Sequence, residues 1–235
     1  MQLARLASWV HKWLALLIGV QVVFWVVSGL FFTLFPIEQI RSEHLVRSPQ
    51  TVRAIDAAAL GDLGLIHDAQ NRPPTKVTLE QRADGPVAVA EFADGDPILF
   101  DAATLRPLSP LDREAALRIA RAHVTLTTAP VSALLVSEQS AEYRGPLPAW
   151  RVQFADGGLS VYVAANTGAV TARRSDLWRL YDTLWALHIM DWRDHENFNH
   201  PLIIVVTFIT LLSVIAGIVL IPFRIRFRGR RPKPA

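Results

Sequence analysis

The stretch LALLIGVQVVFWVVSGLFFTLF, Leu14 to Phe35, carries no charged side chain through 22 residues. A helix rising about 1.5 Å per residue needs roughly 20 apolar residues to cross the hydrocarbon layer, so this length predicts a transmembrane helix. The apolar run exceeds a secretory h-region and no small-residue cleavage site follows it directly, which favours an uncleaved anchor. A second uncharged stretch of the same length, Leu202 to Phe223, lies near the other end of the chain. Everything between the two is expected to hang from a pair of anchors.

The charges are unevenly placed, and their placement predicts a topology. Eight basic residues (Arg5, Lys12, Arg224, Arg226, Arg228, Arg230, Arg231 and Lys233) lie outside the two apolar stretches. The other 16 of the 24 share residues 38–196 with all 21 acidic residues, so that segment carries −5 within a chain whose net charge is +3. Positive charge flanking membrane helices stays in the cytoplasm, which predicts both termini cytoplasmic and residues 36–200 periplasmic, in a bacterial inner membrane. The basic balance then reports topology and contact with the anionic lipid bilayer, and no nucleic-acid partner is expected.

Cysteine is absent, which excludes disulfides, thiolate metal ligands and covalent haem attachment. Hydrolytic chemistry has no support either, since the chain holds no G-x-S-x-G elbow, no H-E-x-x-H zinc helix and no P-loop.

The intervening segment repeats itself. Phe92-Ala93-Asp94-Gly95 recurs as Phe154-Ala155-Asp156-Gly157, an offset of 62, and at that offset Phe100 meets Tyr162, Ala102-Ala103 meet Ala164-Ala165, and Thr104 meets Asn166. Upstream, Ile55 to Leu60 parallels the helical run Arg113 to Leu117. Two copies of one supersecondary unit are expected. In the second, Ser109 as N-cap and Pro110 at the first helical position predict a helix with Ala116, Ile119, Ala120 and His123 on one face. A strand is expected across Val131 to Val136. Alternation at Trp150, Val152 and Phe154, then at Leu159, Val161 and Val163, predicts two further strands joined at Asp156-Gly157-Gly158.

The expected organisation is a cytoplasmic lead-in (1–13), a first transmembrane helix (14–35), a connection (36–50), two helix-on-antiparallel-sheet units (51–108 and 109–172), an amphipathic interfacial helix and turn (173–200), a second transmembrane helix (201–223) and a basic cytoplasmic tail (224–235). The fold class is thus membrane α plus α+β. The second unit, from Asp112-Arg113-Glu114-Ala115-Ala116 through Trp150-Arg151-Val152-Gln153-Phe154 to Val161-Tyr162-Val163-Ala164-Ala165-Asn166-Thr167-Gly168, resembles a PepSY domain. The anchors resemble the PepSY-associated transmembrane family, in His11-Lys12-Trp13-Leu14, Ser28-Gly29-Leu30, Leu187-His188-Ile189-Met190-Asp191 and Ala216-Gly217-Ile218-Val219-Leu220.

That resemblance implies a membrane redox role, in which paired histidines hold haem b within a helical bundle and a ferric siderophore is reduced. Relatives of that kind carry four or more membrane helices and this chain has two, so a haem core would be completed by a homodimer or a partner membrane subunit. The implied iron ligands are His11, His188 and His200. The rival implication is a membrane-tethered PepSY binding module, a peptidase inhibitor or envelope sensor partner, with no redox activity. No catalytic residue is assigned under either.

Spacing constrains the ligands. His11, Ile18, Trp25 and Phe32 recur every seven residues, with Leu14, Gln21 and Ser28 alongside, giving the first helix a polar stripe. On the second, His200, Thr207 and Val214 recur every seven, flanked by Ile203, Thr210 and Gly217. Such stripes suit helix association in lipid, as packing alone or around a cofactor. His188 and His200 lie about 18 Å apart if one straight helix joins them, too far to share an iron, so a bend at Asn199-Pro201 or separate partners is required. His11, about a bilayer thickness away, would serve a separate haem. From Asp176 to Trp192, Trp178, Trp185 and Trp192 suit the membrane interface beside His188. His195 is expected to be solvated, and His44, His67 and His123 carry no assignment.

Overall fold

The computed structural model describes residues 2–47, 55–56, 60–64, 66, 72–82 and 85–224. The helices are α1 (Gln2–Leu34), α2 (Arg113–His123), α3 (Asp176–Ile189) and α4 (Pro201–Arg224); the strands are β1 (Pro74–Arg82), β2 (Gly85–Phe92), β3 (Ile98–Asp101), β4 (Pro130–Val136), β5 (Ala149–Phe154), β6 (Ser160–Ala164) and β7 (Val170–Arg174). They divide into two compact units, one of Met1–Leu34 with Tyr181–Ala235 and one of Phe35–Leu180.

The second unit holds two antiparallel sheets, ordered β1-β2-β3 and β4-β5-β6-β7. In β2 the alternation is apolar on both sides. Ala88 and Ala90 join Ile66, Phe92, Phe100 and Ala102 in one cluster, while Val87 and Val89 join the larger core around α2. Alanine is the residue at the crowded positions of α2 as well, where Ala116 and Ala120 are fully buried and bring the helix close to Val152, Val161 and Val163. Each fully buried valine or phenylalanine there contributes about 1.5–3 kcal/mol of apolar transfer.

The two sheets repeat a detail that the sequence offset does not display. Pro74 lies opposite Phe92 with a register shift before Lys76, and Pro130 lies opposite Phe154 with the same shift before Ser132. Each phenylalanine of the repeated Phe-Ala-Asp-Gly therefore closes a bulged, proline-headed strand pair. The parallel drawn for Ile55 to Leu60 falls partly on residues 57–59, outside the described residues.

The start of α2 departs from expectation. Asp112, not Ser109, is the N-cap, its Oδ1 accepting the Ala115 N–H at 2.7 Å. The Ser109 hydroxyl is committed elsewhere: it accepts the Leu99 N–H at 2.7 Å and donates to the Asn166 carbonyl.

In the first unit, the segments Arg5–Leu34 and Pro201–Phe223 are long and apolar enough to cross a membrane. His11 on α1 meets Ser213, thirteen positions into α4. The end of α3 lies along the later turns of α1, and residues 190–200 form a non-helical connection into α4. Of the expected interfacial helix and turn over 173–200, the helix is Asp176–Ile189 and ends where Met190 takes a positive φ of 60°.

Candidate functional site

The stripe read on α1 is its covered face, and it has two occupants. Ile18 is 5% exposed and Ser28 is fully buried, whereas Leu16, Leu17, Val20, Val23 and Val26 on other faces are half exposed or more. The His11 end is covered by α4. There the Nδ1–H donates to the Ser213 carbonyl at 2.8 Å, with Ser213 Oγ at 3.3 Å. Gly217 supplies the room, because a Cβ at that position would stand 3.2 Å from the ring's Cε1.

The other end of the stripe is covered by α3. The last four carbonyls of a helix lack intrahelical donors and must find others when shielded from water. Here every one is taken. Asp191 N–H reaches the Ala186 carbonyl at 3.1 Å, Gln21 Nε2 donates to Leu187 at 2.9 Å, Trp25 Nε1 to His188 at 2.6 Å, and His200 Nε2 to Ile189 at 2.9 Å. Gln21 and Trp25 of the stripe are thus cap donors for a second helix, a role that spacing within α1 alone could not disclose. Phe32 completes the contact, its ring centroid 4.9 Å from that of Tyr181 and 5.7 Å from that of His188.

The geometry fixes the tautomer of His188. Ser28 has one hydroxyl proton, and the Phe24 carbonyl at 2.6 Å takes it. The contact of 2.7 Å between Ser28 Oγ and His188 Nδ1 must therefore be donated by the imidazole, which leaves Nε2 as a bare lone pair. Trp185 stacks on the same ring at 6.3 Å and 3°, and Trp25 flanks it at 6.4 Å.

The connection after α3 is organised by Asp191, whose carboxylate accepts the backbone N–H groups of Arg193, Asp194, Glu196 and Asn197 at 2.9–3.3 Å. These donors, Asn197 and Asp194 foremost, hold its carboxyl well below the usual carboxylate range. His195, expected in solvent, instead sits 19% exposed with Nδ1 2.6 Å from Asp182 Oδ2, and its carbonyl accepts Trp185 Nε1 at 3.1 Å. The signal for Asp182 was in the sequence, as a lone carboxylate among the aromatics of α3.

On α4 the covered face is part of the one expected, since Ile203, Thr210 and Gly217 of the flanking positions are sheltered. Thr210, Ser213, Ala216 and Gly217 are sheltered, whereas Thr207 and Val214 are exposed. The reason is the His11 ring, which aligns α4 on Ser213 and Gly217.

These positions test a haem's fit. An axial histidine offers a free Nε2 while its Nδ1–H is held by an acceptor. His188 and His11 have that arrangement; His200 does not, its Nε2 being given to Ile189. Ser28 and His11 lie 17 residues apart on α1, about 25 Å along the axis, too far for the two nitrogens to share one iron. Among the described residues no three His, Asp or Glu side chains gather to hold a bare metal ion.

The family model for the PepSY-associated TM region matches residues 8–234. Comparison with curated proteins and with solved structures found no match.

Proposed function

The chain belongs to the PepSY-associated TM region family, and on that premise we propose that it is a haem b-binding electron-transfer component of the bacterial inner membrane. His188 and His11 would each hold a haem iron, with a further imidazole for each supplied by another copy of the chain or by a partner membrane subunit. Haem b, when bound, supplies one-electron chemistry. The protein's part is to fix the imidazole tautomers through Ser28 and the Ser213 carbonyl and to keep water from them. Residues 36–200 lie on the periplasmic side, where a ferric siderophore or similar metal complex is the electron acceptor, and both termini lie in the cytoplasm. The observation that carries this reading is the His188 ring, locked by Ser28 with Nε2 free among Trp25, Phe32 and Trp185.

Protein purified in mild detergent from haem-replete cells should show a Soret band that shifts on dithionite reduction. The band should weaken in His188→Ala and in His11→Ala and persist in His200→Ala. Colourless protein would rule the proposal out.

The second reading, a tethered binding module for a peptidase or envelope sensor, draws on β4. This strand is a sheet edge, and it exposes Val131, Leu134 and Leu135 at 54–62%. An exposed apolar edge invites strand addition. Recovery of one peptidase or sensor kinase with the haem-free protein, lost on Leu134→Lys, would favour it.

A further inference from the structure

The unit of residues 35–180 contains an open cleft of about 680 Å³ between the β1-β2-β3 sheet and α2, closed at one end by the Gly168–Val170 turn. Its volume lies within the range of small-molecule sites, roughly 300–1,000 Å³. The floor is apolar, formed by Val87, Leu99, Leu111 and Ile119, and the polar groups on its walls are two carboxylates, two guanidiniums and one imidazole.

The carboxylates are committed. Glu80 Oε2 accepts Nε and Nη2 of Arg82 at 3.2 and 2.8 Å, and Asp112 Oδ1 is the N-cap of α2. Each guanidinium keeps free N–H groups. Arg82 is held in place by Glu80 and by the Thr167 carbonyl at 2.8 Å, and it lies over Gly168, whose φ of 67° and missing Cβ give the guanidinium its room. Its Nη1 edge stays unspent. Arg118 is exposed at the rim with no hydrogen-bond or ion-pair partner among the described residues. His123 Nε2 faces Arg173 Nη1 at 3.1 Å, and because a guanidinium can only donate, the imidazole is neutral with its proton on Nδ1. The walls therefore offer spare N–H donors above an apolar floor, on two guanidiniums matched in number by two carboxylates that already have partners.

We propose that this cleft binds a small organic anion, with a compact apolar body on Val87, Leu99, Leu111 and Ile119 and a carboxylate or comparable head taken by Arg118 and the free Nη1 edge of Arg82. A planar, bidentate guanidinium is suited to such a head, and an uncharged isostere leaves Arg118 unpaired.

The test is equilibrium dialysis of 2-naphthoate against the full-length protein in nanodiscs, with empty nanodiscs and the neutral 2-naphthamide as references. Saturable binding of one naphthoate per chain is expected, at least tenfold tighter than the amide. Arg118→Ala should weaken it tenfold or more, Arg118→Lys should restore part of the loss, and Ala122→Trp, which fills the rim, should abolish it. Unchanged thermal midpoints establish that these surface variants are folded. A parallel titration with decanoate separates the sources: tighter decanoate binding supports a lipid-derived chain, tighter naphthoate a soluble compact acid. Binding no greater than to empty nanodiscs, or equal binding by wild type and Arg118→Ala, or by acid and amide, overturns the proposal. The histidine site is read by the Soret band instead, so a colourless protein that still binds naphthoate defeats only the haem reading.

Discussion

The two units satisfy their polar groups by opposite means. In residues 35–180, strand ladders pair the backbone and the side chains between the layers are apolar: Phe154, Leu159, Val161 and Val163 are at most 1% exposed. In the helical unit many large apolar side chains face outward, with Leu17 and Val20 each 71% exposed, and its helices are joined in part by hydrogen bonds from Gln21, Trp25, His188 and His11. The hydrophobic effect explains the difference. It drives burial where water is the alternative, but gives no net preference between helix and lipid, so there packing and hydrogen bonds select the partners.

The comparison breaks most visibly at Phe154. Phe154→Ala should destabilise the sheet unit by about 3–5 kcal/mol, measured as a lowered denaturation midpoint. A loss below about 1 kcal/mol would mean that the core is not what holds this unit. Removing the α2 cap with Asp112→Ala should cost about 1 kcal/mol, read in the same way.

Ser28→Ala tests the opposite regime. Hydrogen bonds between membrane helices contribute about 0.6 kcal/mol on average, so its thermal effect should be smaller than that of Asp112→Ala. Its effect on chemistry should be larger. The ¹⁵N-histidine spectrum of the wild type should show His188 protonated on Nδ1, and the variant should show a tautomer mixture. A wild type protonated on Nε2 would remove the basis for an axial ligand.

The smallest effect is on pH dependence. Burial, then the nearby Arg173, pushes the His123 imidazole below its ordinary value of 6.5. The native state therefore binds fewer protons than the unfolded chain. Stability from this group is complete above the unfolded value and declines as the pH falls through the lower folded one. Comparing thermal midpoints between pH 7.5 and 5.5, His123→Gln should flatten the decline.

How much of this was legible in the sequence follows from the range of each determinant. The two apolar helices depend on local composition, and the α1 stripe on a period within one helix, so both could be read directly. The sheet repeat was visible because Phe92 and Phe154 recur with their turns. Three features depended on partners outside the helix being read: the use of Gln21, Trp25 and His200 as caps for α3, the pairing of His195 with Asp182, and the alignment of α4 on His11. On α1 periodicity reports which face is covered but not what covers it, and on α4 it marks the covered face only in part. For that reason the same stripe reads equally well as a dimer seam or as a seat for α3.

The paired prolines and phenylalanines of the two sheets have one more consequence. Pro74 and Phe92 are 18 residues apart and Pro130 and Phe154 are 24, so between matched anchor points the second copy is six residues longer. Within its longer β4–β5 connection lie Glu142 and Tyr143. Glu142 bonds Arg179 at 2.7 Å, and Tyr143 stacks on Tyr162 at 4.3 Å. Burial alone would raise the Glu142 carboxyl, but the Arg179 hydrogen bond and charge hold it below its usual range, while burial and Glu142 together push the Tyr162 phenol up to about 12. Glu142 thereby fastens the longer β4–β5 connection to the first turn of α3.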